Sequence, residues 1–341
     1  MVHSGERAYV YAKACGIIGK SFVGPRIAAL NPLGRLSELD RLVFSFDARE
    51  LPERELLPDI ERRITKRSIK AVTSIVNCFD NPPEFFTLLV RSYEYADIKT
   101  ALASLDENAE EKNRPVFTNL GRFGTVNFDL WPDFEKMIRG TEFETLCGNR
   151  KPGKGAGAEN AGMAVETAID RHYYRRLWQA LLKLKKSDRQ TAEKILREEI
   201  SLRNASWALR LRTYYGMDGG EVKKHLVDIP GHKELTKDAV SALELPLDSR
   251  HEWESWKLAA YLNPEGADAW RVDPRSFQNA AAERLYALAL SNFRRRPLSL
   301  DTVFCFIKLK QFEEDLLTSG AEGLVLGMSS RDVFDLLEMN L

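Results

Sequence analysis

Residues 147–162, CGNRKPGKGAGAENAG, are where residue types and spacing come nearest to supporting a reaction. Gly148, Gly153, Lys154 and Gly155 fall one residue short of the loop that cradles phosphates in nucleotide hydrolases. That loop uses glycines for positive φ and a lysine for the β- and γ-phosphates. A Ser or Thr hydroxyl directly after the lysine binds Mg²⁺. Position 155 is Gly, so the metal-binding hydroxyl is missing. The loop also works as a turn from a parallel strand into a helix whose N-terminus faces the phosphates. Whether it can act here depends on the elements around it.

Other reactive constellations are sparse. His3, His172, His225, His232 and His251 show neither HxxxH nor HExxH spacing, so they spell no local metal site. Cys15, Cys78, Cys147 and Cys305 form no CxxC pair and read as reduced structural thiols. No serine occupies a GxSxG elbow. No catalytic, cofactor-binding or metal-ligating residue is assigned, and no cofactor is expected. Fifty basic residues balance fifty acidic ones, without the excess of cations on which nucleic-acid binding relies. A hydrophobic share of 44% in 341 residues suits a soluble globular chain with real cores. No charge-free apolar run approaches the roughly 20 residues of a membrane span, and the N-terminus lacks a signal-peptide apolar core. Any membrane contact is therefore expected through a partner.

The periodicity is helical throughout. Tyr11, Cys15, Ile18 and Phe22 share one face of a predicted helix from Arg7 to about Phe22. After Pro58, Ile60, Ile64, Ala71, Ile75 and Cys78 form a stripe, with Ile69, Val72, Val76 and Phe79 beside it. Asn81-Pro82-Pro83-Glu84 reads as a stop and restart, followed by a helix burying Phe86, Leu89, Tyr93 and Ala96. Two adjacent stripes between Arg189 and Tyr214, and another from Val303 to Leu316, predict broadly buried helices. Strict alternation is absent, so the fold class is all-α and the phosphate loop lacks its sheet.

Part of the pattern repeats. Glu199-Ile-Ser201-Leu202 precedes Gly216-Met217-Asp218, Glu221, Val222 and Leu226. Glu313-Glu-Asp315-Leu316 precedes Gly327-Met328-Ser329, Asp332, Val333 and Leu337. Each is a helix that stops at glycine and a new helix opened by a cap with an acid three residues later. A fainter copy is Tyr95-Ala-Asp97-Ile98. These repeats predict three related helical units, near 1–140, 141–250 and 251–341, with the glycine-rich stretch as a linker opening the second.

The same residues carry a resemblance. Tyr9-Val-Tyr11-Ala12, Ala168-Ile169-Asp170-Arg-His-Tyr173-Tyr174, Glu199-Ile-Ser201-Leu202-Arg203-Asn204 and Phe306-Ile-Lys308-Leu-Lys310-Gln-Phe-Glu313-Glu-Asp315-Leu316 occur in that order. Together they resemble the C-type stalk component of the V-type or archaeal-type (A/V-type) rotary ATPase, which corresponds to the d component of eukaryotic vacuolar ATPases. The resemblance implies three pseudo-symmetric units forming a funnel-shaped socket on the cytoplasmic face of the membrane, as a peripheral part of the complex. Its partners would be the central-shaft subunits and the proteolipid ring, and its role the non-catalytic transmission of torque for ion transport. The glycine-rich stretch at 148–162 is no recognisable feature of that family.

Two basic clusters admit other readings. Arg62, Arg63, Lys66, Arg67 and Lys70 make one helix face that suits lipid headgroups, an acidic partner or plain solvent. Arg294-Arg295-Arg296-Pro297 could touch RNA, or simply end a helix. Tyr173, Tyr174, Trp253, Trp256 and Trp270 read as packing residues. The alternatives to a rotor subunit are thus a nucleotide-binding protein using 148–155 and a helical-repeat scaffold or RNA-binding protein.

Overall fold

A computed structural model of the chain describes residues 4–106, 115–147, 156–262 and 270–328. Among these residues every regular element is a helix and no strand occurs. The longer helices are α1 (Ser4–Ile18), α2 (Leu36–Phe44), α3 (Glu53–Val76) and α4 (Glu84–Asp106) in the N-terminal part. Short α5 (Phe134–Ile138) and α6 (Glu142–Cys147) lead to α7 (Ala156–Leu182) and α8 (Lys186–Tyr215). Short α9 (Gly219–Lys224), α10 (Glu234–Ala242) and α11 (Arg250–Trp253) precede α12 (Pro274–Phe293) and α13 (Asp301–Val325). No helix is long and apolar enough to cross a membrane among the described residues.

Several boundaries differ from the sequence reading, each for a local reason. Helix α1 stops at Ile18, where Gly19 and Lys20 turn back on Cys15 and Ile17, so Phe22 joins a different core cluster. Helix α3 starts five residues before Pro58, so the proline lies inside the helix on an exposed side and leaves the exposed Arg54 carbonyl without its donor four residues on. Ala96 is exposed, because α4 buries Tyr95, Asp97 and Ile98 against neighbours on other sides. The restart at Asn81-Pro82-Pro83 is realised, with α4 opening at Glu84. Residues 148–155 of the glycine-rich stretch lie outside the described residues, and from Ala156 onward the stretch is the start of α7.

Both Gly-Met positions are realised as left-handed helix stops. Gly216 (φ +60°) ends α8 and Gly327 (φ +79°) follows α13, a backbone state that glycine enters without steric cost. After Gly216, Asp218 caps α9 by accepting from the N–H groups of Gly220 and Glu221 at 2.7 and 3.0 Å. Its counterpart Ser329, with Asp332, lies outside the described residues.

Helix α13 packs against α1, α3, α8 and α12, α4 against α7, and α8 against α10 and α12. The largest core cluster draws on α1, α3, α4, α7, α8 and α13 together. A second forms around Phe22, Leu36, Ile60 and Leu316, and a third around Leu209, Trp253, Trp256 and Phe277. Trp253 and Trp256 meet edge to face at 5.3 Å and donate to the carbonyls of Pro246 and Asp238, which makes them core anchors.

Buried Asn204 on α8 fixes the loop between α9 and α10. Its amide donates to the carbonyls of Val227 and Leu235 (2.9 and 3.0 Å) and its oxygen accepts from the Val227 N–H at 2.8 Å. Asn204→Ala strands three buried backbone groups and should lower unfolding free energy by about 3 kcal/mol in urea titrations. Asn204→Asp aims a carboxylate at two carbonyls and should lose more.

Candidate functional site

The helices that carry the repeated motifs, α4, α8 and α13, are joined by polar contacts. From α4, Tyr93 donates to Glu314 of α13 at 2.6 Å, and Ser92 accepts from Gln311 at 3.4 Å. Between α13 and α8, Lys308 pairs with Glu199 at 2.7 Å. Helix α7 closes the ring: Asp170 takes Lys99 of α4 at 2.9 Å and also pairs with Arg203 of α8. The Arg203 guanidinium lies over the Tyr174 ring, 5.3 Å from its centre, and the Tyr174 hydroxyl donates to Glu199 at 3.3 Å. Residues that carry the family likeness in separate motifs, from 170 to 308, thus form one connected network.

Asp315 lies beside Glu314 on α13, next to this network. Solvent reaches this side chain, yet the surrounding protein desolvates it enough to push its carboxyl up to about 7. The Glu314 charge adds to the rise and Lys308 opposes it. Arg203 has the same double character: its side chain is 39% exposed, while desolvation opposes the partners that hold its charge. Lys99, Arg203 and Lys308 are each engaged, whereas Asp315 has no ion-pair partner among the described residues.

The other candidates go to structural roles. Arg63 turns inward to Asp40 and Asp59 and covers the Phe44 ring at 4.0 Å. Arg67 donates to the Val43 carbonyl at 3.0 Å. Only Arg62, Lys66 and Lys70 of that stripe remain exposed. Arg294 caps α12, and Arg296 reaches Asp301 at 3.3 Å, as a helix end requires. Tyr173 and Tyr174 are buried. The four cysteines are free, and burial pushes the Cys305 thiol up to about 12. No group of His, Cys, Asp and Glu fit to hold a metal occurs among the described residues.

One cluster escaped the sequence reading. Glu142 of α6 gathers Arg91, Arg176 and Tyr95. Glu94 meanwhile accepts from the N–H groups of Thr125 and Val126. These contacts fasten residues 115–147 to α4, and only a long-range pairing signal could have announced them.

A family model described as ATP synthase (C/AC39) subunit matches residues 46–333. The chain belongs to this family. It is therefore a subunit of a V-type ATP synthase, and the matched span includes α3 to α13 with all of these polar contacts. It is similar to an uncharacterized protein of Treponema pallidum (strain Nichols), 28% identical over 324 residues, covering 94% of this chain and 92% of the relative.

The raised Asp315 carboxyl sets a pH signature. Its ionised form is disfavoured in the fold, so the native chain loses stability as pH rises from 3.8 to about 7 and is unaffected below. Asp315→Asn removes that loss. Thermal melts should show the variant gaining on the native chain across this interval, with a constant gap above it.

Proposed function

We propose that this family member is the non-catalytic rotor subunit that links the central shaft to the proteolipid ring and transmits torque for coupled ion transport. The observation that carries the reading is the joining of α4, α8 and α13, each with one copy of the repeated motif, by polar contacts, which in this reading border a recess. Equivalent helices that surround one opening are what a pseudo-threefold socket would need. In this reading the units near 1–140, 141–250 and 251–341 form a funnel on the cytoplasmic face of the membrane, and the recess belongs to its mouth. The occupant is the end of the shaft, and a basic side chain on it would answer the unpaired Asp315. Membrane contact runs through the complex only, and no nucleic acid or cofactor takes part.

Stiffness supports the same role. Large fully buried side chains such as Phe85, Phe86, Phe304 and Phe306 fill the core behind the recess, and close-packed interiors transmit strain with little compression. Ion pairs across the recess lock neighbouring helices in register, which favours rigidity over a gain in stability.

A tagged chain purified from mildly solubilised native membranes should bring down both shaft and ring subunits. Asp315→Arg, with an unchanged melting profile, should lose the shaft about tenfold while the ring is retained. Wild-type protein that recovers no rotary subunit would refute the rotor reading. Full retention of the shaft by Asp315→Arg would place the socket elsewhere.

A further inference from the structure

A concavity of about 1200 Å³ runs between α3 and residues 116–123, of which Gly121–Phe123 form a 3-10 turn, and shares no residue with the polar contacts of α4, α8 and α13 described above. Its α3 wall presents Arg62, Lys66 and Lys70, and Arg122 lines it from the other side. Arg62 is held by Asp59 at 2.6 Å. Lys66, Lys70 and Arg122 are exposed and have no ion-pair partner among the described residues. The neighbouring Arg63 and Arg67 turn inward to partners, so the free charge is concentrated on the groove.

Between these cations the lining mixes apolar side chains with Thr65, Asp97, Thr118 and Asn119. Ile69, Leu120 and Phe123 form the floor, and Val116 is 71% exposed at the edge. The segment opposite α3 is fixed in place: Asp97 accepts from the Thr118 N–H at 2.7 Å and Glu94 from the Val126 N–H at 2.8 Å. The groove is therefore preformed. Glu55, Asp59 and Glu61 occupy its other end, which confines anion attraction to the stretch from Lys66 to Lys70 and Arg122.

We propose that this groove docks an acidic amphipathic helix of a partner protein. Its apolar stripe would cover Ile69, Leu120 and Val116, and its carboxylates would meet Lys66, Lys70 and Arg122. Size agrees with this occupant: Arg62 to Lys70 spans ~12 Å along α3, and two turns of a helix 10–12 Å wide fill on the order of 1000 Å³. A cationic edge along an apolar floor selects for that pairing and against basic helices, because like charges would be forced together at the edge.

The test uses the full chain and labelled synthetic peptides of about 18 residues, long enough to be helical, followed by fluorescence anisotropy. One peptide carries leucines at helical spacing flanked by glutamates. The second replaces each Glu by Lys, and the third scrambles the first so that no apolar face forms. Saturable binding is expected for the first alone, weakening with salt and falling roughly tenfold in Lys66→Glu/Lys70→Glu. Lys66→Arg/Lys70→Arg should bind as the native chain does. The proposal is overturned if the first peptide fails to saturate, if charge reversal leaves its affinity unchanged, or if the scrambled peptide binds equally. Binding of phosphatidylserine vesicles through the same lysines, without the peptide, would assign the groove to lipid headgroups and overturn it too.

Discussion

Helix α13 has no solvated face over its first two turns: every residue from Asp301 to Ile307 is buried. A helix buried on all sides is stable only when other helices enclose it, so the rest of the fold must close around α13. Its buried polar groups then dictate the partners. Glu313 accepts from the Phe22 N–H at 2.8 Å and pairs with Lys310, which donates to Ser21 at 3.1 Å. Asp301 accepts from the N–H groups of Thr191 and Ala192. An unpaired carboxylate or ammonium at these depths would cost several kcal/mol. The N-terminal turn and α8 are consequently as necessary to α13 as its apolar neighbours. Contacts between opposite ends of the chain, such as Phe22 with Glu313, make this a fold that closes cooperatively.

The local part of this architecture was legible in the sequence. Val303, Phe306 and Ile307 announced a broadly buried helix, and Gly216 and Gly327 announced its stop and that of α8, because each signal is encoded within a turn or two of chain. Membership of the three motif helices in one site was only half legible. Repetition marked Glu199, Glu313 and Tyr95 as related, but which side chains would meet depends on helix rotation. Tyr93, two residues before Tyr95, makes the hydrogen bond to Glu314. Glu142 with Arg91 and Arg176 carried no signal, since its partners lie on α4 and α7 at no regular spacing. The basic stripe on α3 illustrates the same limit: helical spacing put five cations on one face, and packing turned Arg63 and Arg67 inward.

Two of the places that hold charge without an ion-pair partner among the described residues differ in sign. Asp315 stands alone in the recess, where most other ionic groups are matched. Lys66, Lys70 and Arg122 have no ion-pair partner on the groove among the described residues. An exposed ion pair contributes little to stability, about 0 to 1 kcal/mol, so pairing inside the recess does more to fix geometry than to hold the fold. An unpaired charge in a concave surface has a different consequence: whatever fills the space must answer it or bear the desolvation. A partner whose tip is basic is accepted by the recess and rejected by the groove, and an acidic helix meets the reverse. In the proposed reading, two sites of opposite demand would let an assembly place two partners without exchange between them. Swapping the signs would cost each partner both its own attraction and the repulsion it now avoids.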